Sequence, residues 1–419
     1  MAKASDLTPI PQARKQLMAA FSPVDIEQIP LPEAAGRVLA EAIHSQIDLP
    51  VFDNSSMDGF ALRSGDVKGA DQDHPVTLTV VEDIPAGAVP QVSIEAGQAA
   101  RIMTGAALPG GTDAVVRVED TDFGLCDPGS SAPEQVRVYV AIPDGENVRP
   151  RGQDVRLGEP VLSPNRRLRP QDVGVLAMLG MSNVPVYRRP RIGLMSPGDE
   201  LLPLGAPLEA GKIYESNSYV LEALVAQSGG QVVRLGIVPD TLEAVRQSLQ
   251  DAIAQDVDVL LSTGGVSVGA FDFVRTVLER EGELTLLRVN IRPGKPLAFG
   301  SYAGVPCFGL PGNPVSAYVG FQVFVKPALR KMVGLPEEPR LTRKISLLEP
   351  IKSDGRESYL RISAAHEDGR WVARLTGHQG SGNLRSLVNA NALLIIPAGV
   401  TSLPAGAELE AWFFEGLDL

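Results

Sequence analysis

Residues 187–333 alternate short apolar runs with segments of helical periodicity, and this alternation constrains the fold more than any other feature of the chain. Strand–helix alternation at this spacing is typical of a doubly wound parallel sheet. We expect Thr241 to cap one helix and Pro327 to kink the last one. The predicted strands are RIGLMS, QVVRLGIV, VDVLLS, LTLLRVNI, PLAFGSY and VPCFGL, and the predicted helices span 218–227, 241–254, 272–281 and 314–333.

Loops rich in glycine and proline follow five of these apolar runs. They are 197–200, 239–240, 263–269, 292–296 and 311–314. Ligands of open parallel sheets bind at the carboxyl ends of the strands, where such loops lie. Two of the loops lead into helix N-termini, which attract anions. We therefore expect one rim that combines unshielded backbone amides with the cations Arg292 and Lys295 and the carboxylates Glu200, Asp240 and Asp272.

This mixture of groups predicts an anionic, nucleotide-like ligand together with a divalent metal. Backbone amides and cations bind phosphate or another oxyanion, whereas carboxylates bind Mg²⁺, which prefers oxygen ligands and bridges to phosphates. The loop TGGVSVG has neither the spacing of a phosphate-binding P-loop nor that of a dinucleotide-binding loop. Each loop alone is equally consistent with a tight turn, and Asp272 alone with an acid in a helix's first turn, so the prediction depends on all five loops.

The remaining sequence predicts a discontinuous N-terminal domain and two β-rich domains. Residues 8–44 are predicted to form a helix, a turn and a second helix over PEAAGRVLAEAI, and DVGVLAMLGM predicts another helix. We assign residues 1–50 and 150–186 to this helical domain. Short β-type runs such as VTLTVVEDI predict a β-rich domain over 51–149 inserted into it. After the α/β domain of residues 187–333, LPEEP leads into a small β domain over 334–419.

Composition and charge exclude several classes of function. A formal net charge of −12 argues against non-specific nucleic-acid binding, which needs a basic face. No run of 18 apolar residues occurs and the N-terminus has no apolar signal-peptide core, so we expect no membrane partner. The 2 cysteines suit a reducing compartment, and we expect a cytoplasmic protein. The 4 scattered histidines argue against a zinc site.

Eight ordered motifs resemble those of one known family. They are DNSSMDGFA from Asp53, RIMTG from Arg101, RGQD from Arg151, SPGDE from Ser196, GGVSVG from Gly264, PGKP from Pro293, LPGNPVS from Leu310 and GHQGS from Gly377. Through these motifs residues 10–415 are similar to the MoeA family of molybdopterin molybdenumtransferases, which includes the gephyrin E domain. The resemblance implies a multidomain α/β plus β fold. Its parts are a MogA-like α/β domain, a helical N-terminal domain with an inserted β domain, and a C-terminal β-barrel-like domain.

The resemblance also implies an activity in molybdenum cofactor biosynthesis. The family's reaction inserts molybdate into adenylylated molybdopterin and releases AMP, with Mg²⁺ as cofactor. Members are homodimers in which the partner subunit completes the active cleft. The implied partners are molybdopterin adenylyltransferase and other proteins of the cofactor pathway.

The resemblance also implies functional roles for individual residues of this chain. The implied catalytic residues are Asp58, Thr104, Asp154, Glu200, Asp240, Asp272 and Lys295. The implied residues for molybdate or pterin are Gly264, Gly265, Ser267, Arg292, Pro296, Ser316, Arg361 and Ser381. Asp240 and Asp272 are the implied metal ligands, and Arg356 is the alternative to Arg361. Because molybdate is a small dianion, a lysine, an arginine and two hydroxyls are suitable donors for it.

Three residues depart from the family's usual pattern: Arg292 replaces lysine, Ala270 an acid and Glu215 an aspartate. They leave open the preference between molybdate and tungstate.

Three other functions also stay open. One is the preceding ATP-dependent adenylylation, which ATP consumption without molybdate would indicate. Another is a scaffold role of the gephyrin type. The third is a paralogue without activity, which the missing acid at Ala270 suggests.

Overall fold

The computed structural model describes residues 7–124, 129–265, 273–337 and 340–414. Its internal packing divides the chain into two compact units. The larger unit comprises residues 1–41, 165–173 and 182–419, and the smaller unit comprises residues 42–164 and 174–181. In the described ranges no helix combines the length and the apolar composition that crossing a bilayer requires.

The first described residues form one helix and then short strands. The elements are α1 (Ile10–Met18), β1 (Ile26–Pro30), a 3₁₀ turn (Leu31–Glu33), β2 (Val38–Leu39) and β3 (Ile43–His44). The second helix predicted over PEAAGRVLAEAI is therefore wrong. Gly36 has a φ of +78°, which interrupts any helix, and Val38 pairs with a strand more than a hundred residues away. This tertiary pairing overrides the local helical propensity.

The smaller unit is built around a five-stranded sheet with the strand order β8-β5-β7-β6-β9. Phe60, Leu62 and Leu78 pack on one face of this sheet, and Ala61 and Ile102 on the other. The β-type runs predicted in this stretch therefore form strands. Their bounds are β4 (Asn54–Ser55), β5 (Gly59–Leu62), β6 (Val76–Ile84), β7 (Gln98–Ile102), β8 (Ala114–Arg117), β9 (Gln135–Val138), β10 (Val148–Arg149) and β11 (Pro160–Leu162).

The chain then adds a helix and two strands. The bounds are β12 (Arg166–Arg167), α2 (Pro170–Met178) and β13 (Asn183–Tyr187). The helix predicted over DVGVLAMLGM is confirmed as α2. In the larger unit, β12 and β13 join β1 and β2 in an antiparallel sheet with the order β1-β13-β2-β12. The N-terminal region predicted as helical thus also contains a sheet.

Residues 191–332 form an α/β domain in which strands and helices alternate as predicted. Thr241 accepts a hydrogen bond from the N–H of Ala244 and so caps α4, as predicted. The bounds are β14 (Arg191–Pro197), β15 (Leu201–Leu202), β16 (Ile213–Tyr214), α3 (Asn217–Gln227), β17 (Gln231–Val238), α4 (Leu242–Ile253), β18 (Val259–Thr263), α5 (Phe273–Glu281), β19 (Glu283–Arg288), β20 (Ile291–Arg292), β21 (Pro296–Tyr302), β22 (Val305–Leu310), α6 (Pro314–Gly320), a π turn (Phe321–Val325) and α7 (Lys326–Met332).

The central sheet of this domain is six-stranded, with the order β17-β14-β18-β22-β21-β19. Its first four strands are parallel, but β21 pairs antiparallel with both β22 and β19, so β21 runs against the other five strands and the prediction of a wholly parallel sheet is wrong. The reason is chain length: only Ala303 and Gly304 connect β21 to β22, which permits a hairpin and no crossover. Leu260 and Leu261 pack into separate cores, so both sheet faces are covered.

The helix predicted over 314–333 is interrupted at its centre. The π turn separates α6 from α7, and Pro327 lies in the first turn of α7. Proline has no N–H to donate to the preceding turn, so a wider turn just before it is expected. The helix is therefore irregular near Pro327, where a kink was predicted, and the irregularity takes the form of a π turn just before the proline.

The C-terminal residues form a small barrel, as predicted. Strands β25, β26, β23, β29 and β27 follow one another, and a further pairing of β25 with β27 closes the ring. Ile362, Leu394 and Phe413 lie in its core. In addition, β20 of the preceding domain pairs in parallel with β25. The bounds are β23 (Thr342–Leu347), β24 (Ile351–Lys352), β25 (Glu357–Glu367), β26 (Arg370–Leu375), α8 (Arg385–Val388), β27 (Ala392–Ile396), β28 (Ser402–Leu403) and β29 (Glu408–Phe413).

Candidate active site

A first cavity, of about 310 Å³, lies at the carboxyl ends of the parallel strands of the α/β domain. Of the described residues, three carboxylates and no lysine or arginine line it, and we call it the acidic cavity. Four of the residues predicted to form a common rim line this cavity. These are Glu200, Asp240, Gly264 and Gly265, which lie together with Glu215, Asn217, Thr263 and Gly312.

Close approach of backbones explains the bare loop after β18. Gly264 has a φ of +113° and Gly265 a φ of +68°, values that other residues rarely adopt. A Cβ atom at Gly264 would lie 3.2 Å from the carbonyl oxygen of Pro197. A Cβ atom at Gly265 would lie 2.9 Å from a methyl group of Val274. The absence of side chains at Gly264 and Gly265 therefore permits these two residues to pack against β14 and α5 where they line the cavity.

Glu215, which replaces the family's usual aspartate, is buried and fully engaged by hydrogen bonds. Its carboxylate accepts from the Ser218 N–H over 2.8 Å and from the Ser196 hydroxyl over 3.2 Å. The Ser218 hydroxyl also donates to it. The carboxylate thus satisfies a free N–H group in the first turn of α3 and is stabilised by the helix dipole. Glu200 and Asp240 are the two lining carboxylates that reach solvent.

Asp240 is tied to Asp199 on the neighbouring loop. The N–H of Asp240 donates to Asp199 Oδ1 over 3.1 Å, and the N–H of Asp199 donates to Asp240 Oδ2 over 3.4 Å. Among the described residues no three histidine, cysteine or acidic side chains are grouped closely enough to hold a metal. The other predicted metal ligand, Asp272, and the predicted ligand residue Ser267 lie outside the described residues. The carboxylates of Glu200 and Asp240 are nevertheless the hard oxygen donors that Mg²⁺ prefers.

A second cavity, of about 360 Å³, lies between the α/β domain and the C-terminal barrel, within the larger unit. In the part of the chain that the structure describes, three arginines and no carboxylate line it, and we call it the basic cavity. It brings together five residues predicted to bind molybdate or pterin. These are Arg292, Pro296, Ser316, Arg361 and Ser381, which lie with Asn313, Arg356 and Gln379.

Arg361 is a buried cation with neutral partners. Its side chain is only 1% exposed. Nε donates to the Ser386 hydroxyl over 3.0 Å, and Nη2 donates to the Gly380 carbonyl over 3.0 Å. Burial, reinforced by the nearby charge of Arg292, lowers the pKa of Arg361 to about 10. A buried charge without a counter-charge is unfavourable, so an anion in this cavity would be strongly attracted.

Arg356, in contrast, has an acidic partner. Its Nε donates to Asp354 over 3.0 Å, and its Nη1 donates to the Ile291 carbonyl over 3.0 Å. The pKa of Asp354 is lowered: burial raises it, but hydrogen bonds from Arg356 and the charges of Arg356 and Arg292 outweigh burial. The charge of Arg356 is therefore largely compensated within the protein, which makes Arg361 the stronger candidate for an anion.

Lys295 is the one described residue of the larger unit's predicted site that lines neither cavity. Its carbonyl oxygen accepts a hydrogen bond from the Val289 N–H over 3.1 Å, so its backbone fixes the turn between β20 and β21. Its predicted catalytic role stays a prediction.

The motif LPGNPVS separates the two cavities. Pro311 and Asn313 line the basic cavity, whereas Gly312 and Pro314 line the acidic cavity. The side-chain amide of Asn217 donates to the Gly312 carbonyl over 2.7 Å and holds this loop in place. An anionic ligand in one cavity and a metal or phosphate in the other would therefore be neighbours.

The remaining predicted residues lie in the smaller unit. Asp58 accepts two hydrogen bonds from Thr104, one from its N–H over 2.7 Å and one from its hydroxyl over 2.8 Å. Arg149 forms an ion pair with Asp154 over 2.7 Å. The Arg151 N–H donates to Asp53 Oδ1 over 2.6 Å. Within this unit, the motif DNSSMDGFA thus contacts both RIMTG and RGQD.

Sequence reasoning missed three side chains that organise the site. Gln379 lies in the motif GHQGS and Asn217 in the segment YESNS, so local glycine and serine patterns pointed to both regions. Ser386 lies in no motif. Only its hydrogen bond to Arg361, 25 residues earlier in the chain, reveals it.

This fold defines a multidomain α/β plus β protein, and the two cavities are its candidate ligand site. Family models match nearly the whole chain. Residues 8–180 match "MoeA N-terminal region (domain I and II)", residues 193–331 match "Probable molybdopterin binding domain", and residues 344–414 match "MoeA C-terminal region (domain IV)". The chain therefore belongs to the MoeA family, and the resemblance inferred from the eight motifs is confirmed.

Similar proteins of known name span almost the same length. The chain is 38% identical over 419 residues to a molybdopterin molybdenumtransferase of Nostoc sp., with 96% of this chain and 93% of the relative covered. It is 34% identical over 413 residues to a molybdopterin molybdenumtransferase of Bacillus subtilis, with 96% and 94% covered. A solved molybdopterin biosynthesis MoeA protein from Pyrococcus horikoshii OT3 has a TM-score of 0.79 at 34% identity, with 97% of this chain and 100% of that chain covered.

Proposed function

We propose that this chain is a molybdopterin molybdenumtransferase of molybdenum cofactor biosynthesis. It inserts molybdate into adenylylated molybdopterin and releases AMP. The observation that carries this proposal is the contact between the two cavities, one acidic and one basic, through the single loop 311–314. The names of the full-length relatives support the same reaction.

The basic cavity is the proposed site of molybdate. Arg361 supplies a buried positive charge, and Arg292 supplies a second cation without a carboxylate within 4 Å in the described part of the chain. The hydroxyls of Ser316 and Ser381 line the same cavity and offer hydrogen-bond donors for the anion's oxygens. Pro296 contributes a rigid wall.

The acidic cavity is the proposed site of the pyrophosphate. Gly264 and Gly265 offer a backbone without side chains, which a phosphate can approach closely. Glu200 and Asp240, with Asp272, are the proposed ligands of Mg²⁺, which when bound supplies charge neutralisation for the phosphates. The chain's own contribution is positioning: it holds the pyrophosphate beside molybdate, so that cleavage of the pyrophosphate by a molybdate oxygen or a water releases AMP.

The residues outside the two cavities are assigned on the family resemblance. Lys295 is proposed to assist the oxyanion from the PGKP turn. Asp58, Thr104 and Asp154 are assigned to the same reaction in a homodimer whose partner subunit completes the cleft. Light scattering on the purified chain tests the dimer, which should have twice the mass of one chain.

A discharge assay tests the function directly. The protein is loaded with adenylylated molybdopterin, Mg²⁺ and molybdate are added, and AMP release and molybdenum incorporation are followed together. We expect AMP release that depends on molybdate and is lost on chelation of Mg²⁺. As a matched control, R343M replaces an exposed arginine of the barrel and should leave the rate unchanged.

Other outcomes of this assay would contradict the proposal. Tight pterin binding without AMP release would indicate a chain inactive in insertion. Consumption of ATP with free molybdopterin, and no response to molybdate, would indicate the preceding adenylylation step. Full turnover with unchanged molybdate dependence in D272N or K295A would remove those two residues from the catalytic set.

A further inference from the structure

The segment from Gly377 to Ser386, a loop that leads into α8, forms a socket around Arg361. Gly380 provides its carbonyl to Nη2, and Ser386 provides its hydroxyl to Nε. Gln379 holds the backbone of the same residue: its Oε1 accepts from the Arg361 N–H over 2.9 Å and its Nε2 donates to the Arg361 carbonyl over 3.1 Å. One loop therefore fixes both the main chain and the guanidinium of Arg361.

Ser386 is the member of this socket whose side chain touches the guanidinium. Its hydroxyl donates to the Asn383 carbonyl over 2.6 Å, so its lone pairs remain to accept from Arg361 Nε. The side chain is 1% exposed, and water cannot readily replace it. Because the guanidinium is planar, holding Nε and one Nη nitrogen leaves the remaining N–H groups a single orientation.

We propose that Ser386 is a positioning residue for oxyanion recognition: it orients the buried Arg361 toward a tetrahedral metal oxyanion, such as molybdate, in the basic cavity. This inference rests on the proposed function of that cavity. Ser386 acts only through Arg361, because it is not among the residues that line the cavity. A guanidinium that is already oriented loses less conformational freedom when an anion binds, and this pre-organisation increases affinity.

The test measures molybdate binding to the full-length chain by isothermal titration calorimetry. We expect Ser386→Ala to weaken molybdate binding about tenfold, the size of effect typical of a hydrogen bond to a charged group. Ser386→Cys keeps the volume but offers only a weak acceptor, so it should weaken binding similarly. Ser228→Ala is the matched control. It removes another buried hydroxyl, which donates to the Leu224 carbonyl over 2.7 Å in α3.

A double-mutant cycle separates positioning from general damage. Arg361→Lys keeps a positive charge but has no Nε, so it cannot form the bond to Ser386. In that background we expect Ser386→Ala to have no further effect on molybdate affinity. In the discharge assay, Ser386→Ala should raise KM for molybdate with little change in kcat, because the lost contact acts on oxyanion binding.

Several results would overturn the proposal. Wild-type affinity in both Ser386 variants would remove the positioning role, as would an equal loss in the Arg361 and Arg361→Lys backgrounds. Absence of molybdate binding to the wild-type chain would also overturn it. Molybdate binding that depends on Ser386, without any AMP release, would instead contradict the proposed reaction and leave the positioning role intact.

Discussion

The side-chain amide of Asn217 donates a hydrogen bond to the carbonyl oxygen of Gly312 over 2.7 Å. Asn217 is the first residue of α3, and Gly312 lies in the loop that separates the acidic from the basic cavity. The position of the common wall therefore depends on a contact that lies outside both the predicted catalytic and the predicted ligand residues.

Replacing this amide should disturb both cavities. We expect Asn217→Ala to lower the free energy of unfolding by about 1 kcal/mol, the net value of one hydrogen bond. It should also reduce molybdate-dependent AMP release, because the 311–314 loop is no longer held. Urea unfolding and the discharge assay measure the two effects. Asn183→Ala, which removes an exposed amide, is the control, and wild-type AMP release in Asn217→Ala would show that the loop needs no such support.

The two barrel arginines of the basic cavity should differ in their importance for molybdate. Arg361→Met removes a buried charge that has no acidic partner among the described residues, and we expect a loss of molybdate affinity of at least tenfold. Arg356→Met removes a charge that Asp354 already compensates, so the loss should be smaller. Calorimetric titration of both variants with molybdate makes the comparison. Equal losses would mean that the pairing with Asp354 is broken when the anion binds.

Molybdate affinity should depend on the protonation of Arg361. Burial, with the charge of Arg292, lowers the pKa of this guanidinium to about 10, below that of an ordinary arginine. The charged form attracts the anion, so affinity should be constant from pH 7 to 9 and should fall as the pH rises through about 10. Binding at pH 10 should take up protons, because the anion favours the charged form. Titrations in buffers of different ionisation enthalpy measure this uptake, and Arg361→Met should show less of it.

Cys307 should be chemically inert in the folded protein. It belongs to β22 of the central sheet, its side chain is buried in the core on one face of that sheet, and burial raises the pKa of the thiol to about 12. Thiolate is the reactive form, so almost none is present at pH 8. In a Cys126→Ser variant, which leaves a single thiol, we expect no reaction with Ellman's reagent until denaturant is added. Rapid labelling under native conditions would mean that this core opens.

The cap of α4 should contribute measurably to stability. Thr241 accepts a hydrogen bond from the Ala244 N–H over 3.2 Å. We expect Thr241→Ala to lower the free energy of unfolding by about 1 kcal/mol. Thr241→Ser should lower it much less, because the capping hydroxyl remains. Thermal and urea unfolding of the three proteins tests this. A melting temperature shared by all three would show that the cap is replaced by water.

The elements that sequence alone predicted well are those fixed by local patterns. The capping residue Thr241 precedes α4, which follows an amphipathic repeat, and α3 ends just before Gly229, which has a positive φ. The helix predicted over residues 32–43 failed because Val38 and Leu39 are fixed by pairing with strands at 166–167 and 186. No local pattern reports such a pairing.

The site was predictable to a similar degree. The family resemblance singled out Arg292, Ser316 and Arg361, and the structure brings them into one cavity. The side chain that holds Arg361 was not predictable, because Ser386 is an ordinary serine in sequence and acquires its contact only through folding. Lys295 shows the opposite case, since a conspicuous PGKP turn places it outside both cavities.

Strand β20 belongs by sequence to the α/β domain, yet it extends the sheet of the barrel by pairing with β25. The basic cavity is assembled at this junction, from Arg292 on one side and Arg361 on the other. Chimeras that exchange the C-terminal barrel between members of the family would therefore receive only half of the proposed oxyanion site. Selectivity among metal oxyanions should be transferred only when the segment that carries Arg292 and the barrel that carries Arg361 are exchanged together. It should be lost when either one is exchanged alone.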